Sequence, residues 1–250
     1  MNRTEPESYQ DFVTLPARVI GVIRSPRALF TTLVERPDWL SILLLTFLVS
    51  AGSRAALMLT DVGRLALIDQ WELTALAFGR VVTSAEYGRL LALSEYGAAY
   101  AVLTAMLRGP LLALVVAGVV YSVYGSRGHH TVGASTQRIG YTQVLAVVAH
   151  AGVILALSQV VALPFNYARE TLASPTTLGR LFPTLDAAST PARFLAALDL
   201  FVLWWAVVVA IGVAVLYRRP LRATVATFMG AYACVAALLA IAMAVTGGTA

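Results

Sequence analysis

The sequence predicts an all-α integral membrane protein: a bundle of five transmembrane helices with amphipathic N-terminal interfacial helices. Three observations predict this fold class. The 250-residue chain is 59% hydrophobic and only 12% charged, whereas soluble domains carry about 25% charged residues. Its mean hydropathy is +0.77. Five apolar runs each approach or exceed the roughly 20 residues that a membrane helix needs.

Polar connections separate the five runs and carry the residues that end helices. The run at 197–220, ALDLFVLWWAVVVAIGVAVLYRRP, has one acid near its start and ends in a Tyr-Arg-Arg-Pro stop. In the second run, Arg108-Gly109-Pro110 predicts a helix that continues through a kink. The predicted spans are Trp39–Leu59, Ala101–Tyr124, Tyr141–Leu163, Ala197–Pro220 and Ala223–Val245.

The chain divides into a segment 1–38, a membrane domain 39–245 and a short tail 246–250. Apolar residues recur at helical spacing before Arg24, and Ser25-Pro26 is typical of a helix start. Two explanations of this head remain open. Its helices lie on the membrane with arginines toward lipid phosphates, or they form a helical hairpin that packs on the bundle.

The distribution of arginines predicts the orientation of the chain. All 18 basic residues are arginine, and ten of them fall in the head 1–38, the loop 125–140 and the turn 218–222. Six fall in the segments 61–97 and 164–193. By the positive-inside rule the N-terminus is cytoplasmic, in the inner (cytoplasmic) membrane of a cell. Acids and arginines before the first apolar run predict an uncleaved anchor.

Apart from Arg218 and Arg219 at the end of the fourth run, three charged residues fall inside the predicted spans and form the main candidate site. With the N-terminus inside, Arg54, Arg108 and Asp199 all lie in the outer half of the bilayer. A charge buried there costs several kcal/mol, so we expect Asp199 to pair with one arginine or both. Spare positive charge would then hold an anionic lipid headgroup or a partner's acid. The alternative is that the arginines snorkel to headgroups while Asp199 caps a helix near water.

Weaker candidates are His150, Gln159 and Trp204, which also lie within the spans. His150 is expected to be an interhelical hydrogen-bonding residue, with a proton relay as the alternative. His129-His130 lacks a cysteine or carboxylate at metal-binding spacing, so neither metal nor cofactor is expected. The sequence contains no HExxH, P-loop or nucleophile-elbow pattern, which argues against an enzyme. The net charge of +5 forms no dense basic patch, which argues against a nucleic-acid partner.

Several stretches resemble the Yip1 family of multi-pass membrane proteins, in its bacterial form. These are SPRALFTTLVERPDWL at 25–40, YTQVLAVVAHA at 141–151, SPTTLG at 174–179 and LDLFVLWWAVVVAIG at 198–212. The last contains an Asp-x-Phe-x-x-Trp pattern that ends in glycine. The resemblance implies five membrane helices and no enzyme activity. Some bacterial members accompany ABC-type exporters.

Together these observations favour a non-enzymatic scaffold or accessory subunit of a membrane transport or trafficking complex. Membrane lipids are the expected contacts, another membrane protein such as an ABC-type exporter is a candidate partner, and a homo-oligomer is left open. The alternative is a small transporter or lipid-handling protein that uses the Arg54, Arg108 and Asp199 cluster. Five spans without an internal repeat favour this alternative less, because transporters commonly contain paired repeats.

Overall fold

Helices dominate the fold seen in the computed structural model. It describes residues 14–77, 80–125, 129–132, 135–182, 184–185 and 189–246. The ten α-helices in these ranges are α1 (Leu15–Arg24), α2 (Pro26–Glu35), α3 (Leu40–Met58), α4 (Asp61–Ala77), α5 (Ser84–Ser94), α6 (Gly97–Tyr124), α7 (Tyr141–Ala168), α8 (Thr190–Ala197), α9 (Leu200–Leu216) and α10 (Leu221–Thr246). Much of the predicted polar head, residues 1–13, lies outside the described residues, as do 247–250 of the predicted tail.

Two short strands interrupt the helical order where the sequence predicted a polar loop. Strands β1 (His129–Val132) and β2 (Ser135–Arg138) pair antiparallel, with His129 opposite Arg138 and Val132 opposite Ser135. The fold class is therefore helical with one small hairpin between α6 and α7.

Four of the helices are long and apolar enough to cross a membrane: α3, α6, α7 and α10. Helices α6 and α7 continue through Pro110 and Pro164. The fourth predicted span is shorter, because α9 contains only 17 residues and α8 is a separate helix before it. The membrane character of the chain agrees with the prediction, whereas four helices rather than five meet the length criterion.

The contacts group the chain into two compact units. The first contains Met1–Phe47, Leu107–Ala156 and Trp204–Met229, and the second contains Leu48–Met106, Leu157–Leu203 and Gly230–Ala250. Helix α7 is the most enclosed span, with 61% of its most apolar window buried, against 17%, 17% and 11% for α3, α6 and α10.

The N-terminal helices belong to the core of the first unit. Leu29 and Phe30 on α2 are fully buried. At Gly212 on α9, an added Cβ would overlap Val147 of α7 and lie 3.2 Å from the Phe30 ring. The absent side chain therefore lets α9 come close to both helices. Of the two explanations for the head, these contacts favour the hairpin packed on the bundle.

The second unit has its own small core. Leu57, Met58, Leu67 and Ala101 are buried together, and Trp71 packs against them. An added Cβ at Gly97 would be in ordinary contact with Leu67 and Met58, both 3.5 Å away. Helices α4 and α5 occupy the connection between the first two predicted spans. A capping box between Thr83 and Glu86 starts α5.

Candidate functional site

Asp199 immediately precedes α9, and its carboxylate caps the start of this helix. Oδ1 accepts hydrogen bonds from the backbone N–H groups of Phe201 at 2.8 Å and Val202 at 3.3 Å. Oδ2 accepts from the hydroxyls of Ser174 and Thr176, the latter at 2.7 Å. A carboxylate at this position satisfies amide groups that the helix itself cannot.

The backbone around Asp199 is held by the same connection. Leu178 N–H donates to the Leu198 carbonyl at 2.7 Å, and Leu200 N–H donates to the Thr176 carbonyl at 3.1 Å. The Tyr232 hydroxyl accepts from Asp199 N–H and donates to the Ala197 carbonyl, both at 3.0 Å. The carboxylate therefore ties the 174–178 segment to the start of α9.

The predicted charge cluster takes a different form in the structure. The described partners of the Asp199 carboxylate are hydroxyls and backbone amides, and no arginine is among them. Capping and hydroxyl contacts satisfy both oxygens of the carboxylate, so the structure does not bring Asp199 together with Arg54 or Arg108 through a described contact. The alternative of a helix cap describes this residue.

Arg54 instead contacts another of the predicted residues. Its Nε donates to Gln159 Oε1 at 2.8 Å, which links α3 to α7 within the second unit. The Gln159 amide also donates to the Ser158 hydroxyl at 3.3 Å. A hydrogen bond from a charged donor between two apolar helices stabilises their register. The sequence analysis named both residues as candidates but did not predict this contact between them.

Arg108 is exposed at the twelfth position of α6. In the described part of the chain, it has neither an ion pair nor a side-chain hydrogen bond. Met106, Leu107, Leu111 and Leu112 around it are exposed apolar residues. In such apolar surroundings an arginine side chain can lie along the helix surface and extend its guanidinium group toward a lipid headgroup.

His150 is the most buried of the predicted polar residues. Its side chain is fully buried on α7, and Nδ1 lies 2.8 Å from the Ala146 carbonyl of the same helix. Because a carbonyl only accepts, Nδ1 carries the hydrogen in this contact and Nε2 is the acceptor. Nε2 is buried and lacks a partner among the described residues. The hydrogen bond of His150 therefore stays within α7, rather than joining two helices as predicted.

An ion pair that the sequence did not reveal lies near His150. Arg18 on α1 pairs with Asp38, which also accepts from the Ser41 hydroxyl at 2.8 Å. Both charges are within electrostatic range of the His150 ring. Partial burial opposes ionisation of Asp38, but the hydrogen bonds from Arg18 and Ser41 outweigh it, so the pKa of Asp38 is lowered. We call Arg18, Asp38, Ser41 and His150 the His150 site.

At the His150 site, the buried Nε2 could accept a hydrogen bond from a donor group. Trp204, the remaining candidate, is half-buried on α9 in the same unit. Where the structure describes the chain, no three histidines, cysteines or acids cluster as metal ligands require. The side chains of His129 and His130 are outside that description.

A cleft of 490 Å³ lies in the second unit, outside the candidate spans. Its polar lining combines two acids with Arg80, which is paired with Glu86 at 3.3 Å. The lining residues are Asp69, Glu72, Leu73, Leu76, Arg80, Val81 and Val82. The two acids, Asp69 and Glu72, lie three positions apart on α4, on the same side of that helix.

Comparison with known proteins gives no relative for this chain: no family model, curated protein or solved structure matches it.

Proposed function

We propose that this chain is a non-enzymatic multi-pass membrane protein of Yip1 type, acting as a scaffold or accessory subunit of a membrane transport or trafficking complex. Two observations support the proposal. Two of the polar residues predicted inside spans are engaged in local structure, since Asp199 caps α9 and Arg54 bonds Gln159. Meanwhile, the apolar faces of α3, α6 and α10 are largely exposed. Such a surface can contact lipids and other membrane helices.

The proposal includes five spans, with α9 as the fourth. Seventeen helical residues extend about 26 Å at 1.5 Å per residue, slightly less than the roughly 30 Å of a bilayer core. Tyr217 and two arginines follow directly and suit an interfacial anchor. We propose the inner membrane with the N-terminus cytoplasmic.

Labelling from the two sides of the membrane tests the span count. After Cys234→Ser, single cysteines are placed near residues 5 and 249 and treated with a membrane-impermeant maleimide. Five spans predict that the two positions react from opposite sides. Reaction of both from one side would favour four spans, with α9 not crossing.

Crosslinking in native membranes tests the scaffold role. The tagged chain is crosslinked before solubilisation, and its partners are identified by mass spectrometry. We expect a stoichiometric membrane partner such as an ABC-type exporter. A Gly230→Leu variant, which changes an exposed point on α10, should reduce recovery if that face is used. Recovery of the chain alone, in every detergent tried, would contradict the proposal.

The second candidate function is a small transporter or lipid-handling protein. The observation that favours it is the buried, unpartnered Nε2 of His150 near the Arg18–Asp38 pair. Purified protein in liposomes should then move a substrate, and His150→Gln should reduce the flux while leaving the protein folded. Absence of flux of lipid analogues, protons and anions would leave the scaffold as the better description.

A further inference from the structure

The turn between α9 and α10 carries a concentrated positive charge. Arg218, Arg219 and Arg222 are all exposed, and their side chains have no ion pair or hydrogen bond within the described ranges. We call them the arginine turn. Three guanidinium groups within five residues repel one another unless anions lie between them.

The chain itself offers few acids to neutralise this charge. The segments 107–156 and 204–229, which belong to the same unit as the arginine turn, contain no Asp or Glu. Between 14 and 47 the acids are Glu35 and Asp38, and Asp38 is paired with Arg18. With Glu5, Glu7 and Asp11 included, the sequence of this unit holds eleven arginines and five acids. Positive charge is thus in excess, which favours anions supplied from outside the chain.

The backbone of the arginine turn is well defined. Arg218 adopts a left-handed conformation with φ of 51°. Arg219 N–H closes the end of α9 by donating to the Ala214 carbonyl at 2.9 Å. The ring of Pro220 then fixes the φ angle of that residue. Glycine is the usual residue where a helix ends this way. The arginines therefore project from a fixed turn rather than from a long loop.

A group of tyrosines marks the level of this turn relative to a membrane. The Tyr217 and Tyr124 rings lie 5.5 Å apart, and those of Tyr121 and Tyr141 lie 6.0 Å apart. Tyr141 also donates to the Leu114 carbonyl at 3.0 Å. These residues stand at the ends of three apolar helices, where tyrosines mark the interface between hydrocarbon and headgroups. Phosphates of lipids lie at this level.

We propose that the arginine turn binds the phosphate groups of anionic phospholipids in the adjoining leaflet. The proposal rests on the membrane placement within the proposed function, but not on the scaffold role. Guanidinium forms two parallel hydrogen bonds to a phosphate, and a neighbouring negative headgroup adds further attraction. The competing explanation is that these arginines only set the orientation of the chain, without retaining particular lipids.

Lipid retention tests the proposal. The full chain is reconstituted in bilayers of phosphatidylcholine with phosphatidylglycerol and then extracted in mild detergent. Bound lipids are counted by native mass spectrometry. We compare the triple variant Arg218→Gln/Arg219→Gln/Arg222→Gln with a matched control that removes three exposed arginines elsewhere, Arg89→Gln/Arg169→Gln/Arg180→Gln. Circular dichroism checks that all variants remain helical.

We expect the wild type and the control to retain phosphatidylglycerol in preference to phosphatidylcholine. The turn variant should lose this preference by about fivefold for each arginine, up to about a hundredfold. A triple lysine variant at the same positions should keep most of it. Equal retention by the turn variant and the control would overturn the proposal.

Two further measurements identify the source of the phosphate and distinguish a failure of the membrane placement from a failure of the arginine-turn site. Excess inorganic phosphate should leave phosphatidylglycerol bound. Displacement of phosphatidylglycerol by inorganic phosphate would overturn the proposal of a lipid ligand in favour of a soluble phosphate ligand. Flotation on a density gradient reports whether the chain enters bilayers. A chain that does not float contradicts the proposed membrane function itself. A chain that floats but retains no anionic lipid contradicts only the arginine-turn site.

Discussion

The substitution Gly212→Ala adds one methyl group where α9 lies against α7 and α2. The new Cβ would fall more than ~1 Å inside the 3.5–4.0 Å that separates non-bonded carbons, measured to Val147 Cγ1. It would also lie 3.2 Å from the Phe30 ring. Val147 is 1% exposed, and a valine on a helix has one strongly preferred rotamer. The helices must therefore move apart to accept the methyl group.

The expected cost is that of overpacking a buried core, about 1–3 kcal/mol. Alanine is the better helix former by up to about 1 kcal/mol in water. In a membrane this gain is smaller, because the unfolded chain keeps its helices there. We therefore expect Gly212→Ala to lower the free energy of unfolding by about 1–3 kcal/mol.

The assay is reversible unfolding of the purified protein in mixed micelles with increasing SDS, followed by tryptophan fluorescence. Gly230→Ala is the matched control, since that glycine is exposed on α10 and an added Cβ meets nothing within 4 Å. It should change stability by less than about 0.5 kcal/mol. Adding Val147→Ala to Gly212→Ala should recover part of the loss. Equal stability of the two alanine variants would refute the close packing.

Three other predictions concern single contacts. Gly63→Ala should lower the melting temperature by several degrees, because its Cβ would overlap the Leu57 carbonyl oxygen, a backbone atom that cannot rotate away. An unchanged melting temperature would contradict that contact. Asp199→Ala should cost about 0.5–2 kcal/mol through loss of the cap, and Asp199→Asn less, in the same SDS titration; the reverse order would argue against capping. For Asp38, the lowered pKa means that its ionised form stabilises the fold above the unfolded value of 3.8. The stability difference between wild type and Asp38→Asn is expected to be under about 1 kcal/mol at neutral pH, because the carboxylate is partly exposed. It should close as the pH falls below 3.8 and through the lowered pKa of the folded protein. A constant difference would exclude the Arg18–Asp38 contact as its cause.

The positions of the long helices could be predicted because their signal is local. The run predicted at Trp39–Leu59 is a helix from Leu40 to Met58, and the run that begins at Tyr141 starts a helix at that residue. A continuous apolar stretch has few alternatives to a helix that pairs its own backbone groups.

The surroundings of Asp199 could be predicted only in part. An Asp that precedes an apolar run is a common N-cap, and that signal was available in the sequence. On hydropathy alone, the predicted span began at Ala197. In the structure α8 ends at that residue, and α9 begins at Leu200. The hydroxyls that complete the site come from Ser174 and Thr176, more than twenty residues earlier. Nothing in the local sequence indicates that contact.

The His150 site lay beyond what the sequence could reveal. Arg18, Asp38 and His150 come from α1, from the link before α3 and from α7. No helical or strand period relates positions so far apart, so only the tertiary fold brings them together. For the same reason, the sequence named Arg54 and Gln159 separately but did not pair them.

The contact between Phe30 and Gly212 has a consequence for how the chain is made. About 180 residues separate the two positions, and at 5–20 residues per second the ribosome needs roughly 10–40 s to produce the later one. Throughout this time the apolar stripe of α2, including Leu29 and Phe30, has no α9 to cover it. Such an apolar stripe can be buried at the membrane interface during this time. The amphipathic pattern of the head would thus serve the nascent chain, and its packing on α7 and α9 the finished one.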